Sequence, residues 1–190
     1  GYIETTRDSL LIFEACKRGL LPRICRRLQD KERQLVQSGT VFCFDENESG
    51  IKRWTDGLLW SPSRILGNFL IYRELETKTP LVDEESSDDA KSYPPCTSVS
   101  YPYRKQRDRT ASGSLKPCYR FKTNGLIKKS MSLMMGGVQQ HLISYYNKDD
   151  VLADKLPTPS LSPELATMEI STELLHYRHF RVPLFLDEGP

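Results

Sequence analysis

No stretch of this 190-residue chain approaches the 18 or so consecutive apolar residues that a membrane span needs, so no membrane partner is expected. No secretory apolar segment opens the chain, which starts on Gly1 rather than Met, as an excised fragment would. Cysteine is sparse and scattered: Cys16, Cys25, Cys43, Cys96 and Cys118 form no CxxC pair, which argues for reduced thiols in an intracellular compartment. Histidine is rarer still. His176 and His179 make an HxxH with no third ligand of recognised spacing, so no metal is expected. There is no GxSxG, P-loop or GxGxxG, and the acids Asp45, Glu46 and Glu48 lack the spacing of a calcium loop. Nothing poises a nucleophile, so no enzyme, no cofactor and no small-molecule substrate are expected.

What is present is an ordinary globular composition, 38% hydrophobic and 27% charged. The formal net charge of +2 conceals an uneven distribution. Residues 1–79 hold 13 Lys/Arg against 11 Asp/Glu, and 80–99 hold one against five. Residues 100–148 then hold ten against one, and 149–190 three against eight. The third segment has the charge of a polyanion-binding surface, with Arg104, Lys105, Arg107 and Arg109 in one run. The acidic balance of the last segment makes it a poor DNA surface and suggests a packing role.

The first helix is well marked: Thr6 offers an N-cap, Asp8 sits in the first turn, Lys17 and Arg18 in the last, and Gly19 follows. Pro22 predicts a short helical RICRRL, with Arg23, Arg26 and Arg27 on neighbouring faces, and Asp30 predicts a third helix, KERQLVQS. Residues 40–45 (TVFCFD) read as a buried strand, followed by a turn to Gly50. Residues 65–75 read as one long strand. Residues 80–117, repeatedly broken by Pro, read as a linker, in part disordered. A three-stranded meander follows: CYRFKT, with Tyr119 and Phe121 inward, an Asn124-Gly125 turn, LIKKSMSLM, a Gly136-Gly137 turn, and HLISYY. Its cations Arg120, Lys122, Lys128 and Lys129 cluster near the first turn, and such a basic pleated edge can supply phosphate contacts. Beyond it, Asp149 or Asp150 caps a short helix.

The two tryptophans, Trp54 and Trp60, bracket a loop that carries Lys52, Arg53, Thr55 and, just beyond, Ser63 and Arg64. Cations beside aromatics on such a loop suit a finger entering a phosphate-lined groove. A surface loop with both indoles in the core is the competing reading.

The ordered set KRWTDG, WSPSR and FLIYREL, with GLIKKSMSLMMGGVQQHLISYY after the linker, resembles the WOPR-domain family of fungal transcription regulators. The resemblance implies an α+β fold, with a single mixed or antiparallel sheet interleaved from two sequence blocks and a few short helices. Residues 1–79 would be the first block, 80–117 a variable linker, 118–148 the second block and 149–190 an extension packing on the body. It also implies a nuclear protein that binds double-stranded DNA at A·T-rich sites, as a monomer. Its sheet would tilt into the major groove while an arginine enters the minor groove. That arginine would be Arg53, with Arg64 the other candidate; a narrow, strongly negative A·T groove favours a guanidinium. Lys52 would touch phosphate, Trp54 and Trp60 would brace the loop, and Lys128 and Lys129 would face the major groove. Thr55, after two basic residues, is a candidate phosphorylation site, or else a turn residue bonded to local backbone. A protein-interaction module gripping an acidic partner through the basic meander is an alternative, and a single-strand RNA binder a third.

Overall fold

The computed structural model describes residues 1–77 and 119–184. The expected linker, with its run from Arg104 to Arg109, and the thiols Cys96 and Cys118 lie outside them.

Helix α1 (Thr6–Lys17) begins one residue earlier than the sequence suggests, because Thr5 is its cap. The Thr5 hydroxyl accepts from Asp8 N–H, and the Asp8 carboxylate accepts in return from Thr5 N–H at 3.0 Å, a reciprocal capping box. Thr5→Ala is therefore expected to lower stability by about 1 kcal/mol, read as a small drop in thermal midpoint with no change in the folded spectrum.

Five strands form one antiparallel sheet: β1 (Val41–Asp45), β2 (Arg64–Leu66), β3 (Phe69–Arg73), β4 (Ile127–Met135) and β5 (Val138–Tyr146). Their spatial order is β1-β5-β4-β3-β2, so the late hairpin β4–β5 inserts between early strands, as the resemblance implied. The register is set by Gly136 and Gly137, whose φ of 60° and 78° make the two-residue turn that pairs Met135 with Val138. On one face α1 packs with Cys43, Phe69, Met131, Leu133 and Leu142, together with Ile170 and Leu174 from the C-terminal part. On the other, Phe42, Phe44, Ile143 and Tyr145 gather Ile51, Trp54 and Trp60.

Several local expectations are overturned. Residues 65–75 are a hairpin, not one strand: Gly67, at φ 57°, reverses the chain and Leu66 pairs with Phe69. RICRRL is not helical, because Ile24 donates its N–H to the Cys43 carbonyl at 2.9 Å and runs alongside β1. KERQLVQS shortens to a single 3-10 turn, Glu32–Leu35, with no buried residue to stabilise a longer helix. The turn after β1 is a short helix α2 (Glu46–Ser49), capped by the Asp45 side chain. The described part of CYRFKT, residues 119–123, forms only a bridge, Phe121 to Leu75, and Phe121 lies on the surface under the Arg73 guanidinium, 3.8 Å from its ring. Among the described residues the meander thus has two long strands in place of the expected three. Helices α3 (Lys148–Leu152, capped by Asn147 rather than Asp149 or Asp150), α4 (Pro163–Ala166) and α5 (Thr172–Leu175) complete the chain, and no described helix is long and apolar enough to cross a membrane.

Candidate nucleic-acid interface

Gly50, left-handed at φ 67°, ends α2 and turns the chain so that Ile51, 1% exposed, plugs the second core. From that anchor the loop leaves the sheet and returns at Trp60, which bridges Glu74 next to β3. Trp54 stacks on Phe44, with ring centroids 5.3 Å apart and an 18° tilt, and leans on Phe42. Both indoles are thus partly buried against the second core, and each N–H still needs an acceptor.

Asp56 resolves this. It is 5% exposed and collects donors from four directions. Trp60 Nε1 lies 3.0 Å from both carboxylate oxygens, Leu58 N–H donates at 3.0 Å, and the Tyr145 hydroxyl donates at 2.6 Å. Tyr145 in turn accepts from Trp54 Nε1 at 2.6 Å, so both tryptophans are tied to one carboxylate. Lys128 supplies the counter-charge, its Nζ 3.5 Å from Asp56 and over the Trp60 and Tyr72 rings at 4.5 and 4.7 Å. Burial would push the Asp56 carboxyl up, but the Tyr145 and Trp60 hydrogen bonds and the Lys128 charge hold it below the usual carboxylate range. Burial pushes the Tyr145 hydroxyl up, with Asp56 beside it adding to the effect. Lys128 is lowered by its own burial, against the pull of Asp56.

Above this network, Lys52, Arg53 and Thr55 are exposed. Arg27 supports the loop from the side, its Nη1 3.4 Å from both the Arg53 carbonyl and the Thr55 hydroxyl. Arg33 packs under Gly57, whose φ of 80° makes the turn. Ser63 and Arg64 are exposed where the loop enters β2. No ion pair among the described residues engages Lys52, Arg53 or Arg64.

The other expected contacts lie elsewhere. Lys129 is 3% exposed and donates to the Ile3 and Glu4 carbonyls at 2.8 and 3.0 Å, with Phe69 beneath it. It is an interior side chain rather than a groove-facing one, because it shares the inward face of β4 with Met131 and Leu133. Lys128 is likewise turned onto Asp56 instead of outward. Lys122 pairs with the buried Glu74 at 3.0 Å and Arg120 with Glu76 at 3.8 Å, although both cations stay half exposed. Arg23 meets Glu48 at 3.2 Å and Arg26 forks onto Glu32, whose carboxyl is held down to about 2 by that hydrogen bond.

Sequence reasoning missed Asp56 and Tyr145. The usable signal was Tyr145 itself, an inward residue of a half-buried strand whose hydroxyl requires a partner.

A family model described as the Gti1/Pac2 family matches residues 1–147. Among curated proteins, the chain is 41% identical to the Global transcription regulator sge1 of Gibberella fujikuroi, over 97% of this chain but only 62% of that protein. It is 37% identical to the cAMP-independent regulatory protein pac2 of Schizosaccharomyces pombe, over 100% of this chain and 82% of that one. Among solved structures, the WOPR domain of Wor1 from Candida albicans in complex with 17-bp double-stranded DNA superimposes with a TM-score of 0.65 at 33% identity, covering 93% of this chain and 95% of that one.

Proposed function

This chain belongs to the Gti1/Pac2 family, and from that premise we propose that it is the sequence-specific, double-stranded DNA-binding domain of a nuclear transcription regulator. The likeness to a WOPR domain solved on duplex DNA supports the partner. The relative sge1 bears the name of a global transcription regulator and pac2 that of a regulatory protein, which accords with a sequence that poises no nucleophile.

One observation carries the detailed reading. Lys52, Arg53 and Arg64, paired with no acid among the described residues, stand on and just beyond a loop whose base is locked by buried Asp56. A loop already fixed loses little entropy on insertion. Arg53 then enters the minor groove of an A·T-rich site, where the negative potential is deepest, and Arg64 is its alternate. Lys52 and Ser63 touch the backbone, and the sheet tilts into the major groove as a monomer reads the site. A phosphate on Thr55 would add about −1.5 to −2 charges next to Arg53 and oppose binding. The acidic-partner reading loses ground because Arg120, Lys122, Lys128 and Lys129 are already engaged within the fold.

Arg53→Ala is expected to weaken binding to an A·T-rich duplex by about 1–3 kcal/mol and to narrow its preference over a G·C-rich duplex. Anisotropy titration of both duplexes at fixed salt checks it. Wild-type affinity in the variant would remove Arg53 from the groove.

A further inference from the structure

The C-terminal segment, which its acidic balance marks as a poor partner for DNA, distributes its charge unevenly. No acid lies between Glu173 and Asp187, while Arg178 and Arg181 do. The structure fixes where this acid-free stretch goes. The Asn68 side chain, at the tip of the β2–β3 hairpin, clamps Val182: its amide donates to the Val182 carbonyl and its oxygen accepts the Val182 N–H, both at 2.9 Å. The same amide reaches the Thr6 hydroxyl at 2.9 Å, tying the clamp to the start of α1. Tyr177 accepts from Met134 N–H at 3.2 Å, and Phe180 packs beside Tyr177 with centroids 5.0 Å apart. Anchors at 177, 180 and 182 thus alternate with Arg178 and Arg181, both exposed and with no ion pair among the described residues.

Among the described residues, ion pairs with carboxylates occupy Arg18, Arg23, Arg26, Arg33, Arg120, Lys122, Lys128 and Lys155. Of the described cations outside those pairs, five border one edge of the sheet: Lys52 and Arg53 on the loop that feeds β2, Arg64 on β2, and Arg178 and Arg181 beside the residues held at its far tip. Strand β2 is an edge of the sheet, so these residues follow an uncovered border. Trp60 lies opposite Glu74 and Leu66 opposite Phe69, so this border runs about 17 Å at roughly 3.4 Å per residue, the rise of about five base pairs. We infer that Arg178 and Arg181 form a second phosphate-binding patch, which holds the duplex backbone about five base pairs away from the inserted loop. The inference rests on the DNA-binding reading above and adds a contact from outside the residues matched by the family model.

The test is the salt dependence of binding to an A·T-rich duplex of 17 bp or longer. Each phosphate contact contributes about −0.9 to the slope of log K against log salt. The double variant Arg178→Ala/Arg181→Ala is expected to flatten the slope by roughly 2, with the A·T over G·C preference and the thermal midpoint unchanged. Arg178→Lys/Arg181→Lys is expected to restore most of the slope. An unchanged slope in the alanine variant overturns this inference while wild-type binding leaves the parent reading intact. Equal flattening in the lysine variant also overturns it, since charge would not be the cause. Failure of the wild-type chain to bind duplex at all overturns both.

Discussion

Asp56→Ala is expected to destabilise the fold by about 3–5 kcal/mol, the range for removing one partner from a buried ion pair. The loss exceeds one hydrogen bond because the carboxylate serves several donors at once. Without it, Trp60 Nε1, Leu58 N–H and the Tyr145 hydroxyl lose their acceptor, and Lys128 is left as a charge in a site whose side chain is 12% exposed. A chain of this size shifts its midpoint by about 2–4 °C per kcal/mol, so a drop of roughly 6–20 °C is expected by calorimetry. The pH dependence follows from the sign of the Asp56 shift. Its folded-state pKa lies below its unfolded value of about 3.9. The stabilisation is complete above about pH 4 and disappears as pH falls through the lower, folded-state value. The gap in midpoint between wild type and Asp56→Asn should therefore be constant near neutrality and close progressively in acid. A gap independent of pH would show that the carboxylate's charge has no part in the network.

Leu174→Ala is expected to cost about 2–5 kcal/mol, the usual range for a leucine truncated in a packed core. Leu174 is 0% exposed and lies in the same cluster as Leu10, Phe13, Leu133 and Leu142. Helix α5 has four residues, too few to be stable by local propensity, so burial of this side chain is what holds it. A thermal scan should show a fall of roughly 4–20 °C, with amides of α1 losing protection from hydrogen exchange along with those near α5. Wild-type stability would mean that the C-terminal part contributes nothing to the core.

How much of this could be read from residues alone depended on how far apart the partners were. The capped first helix, strand β1 and the Gly136-Gly137 hairpin are encoded by neighbours, and the sequence signals for them are close to the structure. The β2–β3 reversal was also local: Gly67-Asn68 is a two-residue turn pair, but the apolar residues on both sides masked it. Lys129 was legible in principle, since it alternates with Met131 and Leu133, yet a charge at an inward position is a rare event that pattern alone discounts. Asp56 was not legible. Thr55-Asp56-Gly57 has the chemistry of a surface turn, and only Tyr145, distant in sequence, converts it into a buried acceptor. The interleaving of the two blocks came from family resemblance, not from periodicity.

The strand order also bears on how the polypeptide matures during translation. β1 and β3 leave the ribosome well before the hairpin that fills the space between them, and neither pairs with the other in the finished sheet. Until β4 has been synthesised β3 pairs only with the three-residue β2, and until β5 follows it β1 has no strand neighbour. Such pairing across a long intervening segment carries a large loop-closure entropy and is intrinsically slow. The nascent N-terminal half is thus exposed to edge-to-edge association for as long as the hairpin is missing, a window in which a holdase would have the most to protect.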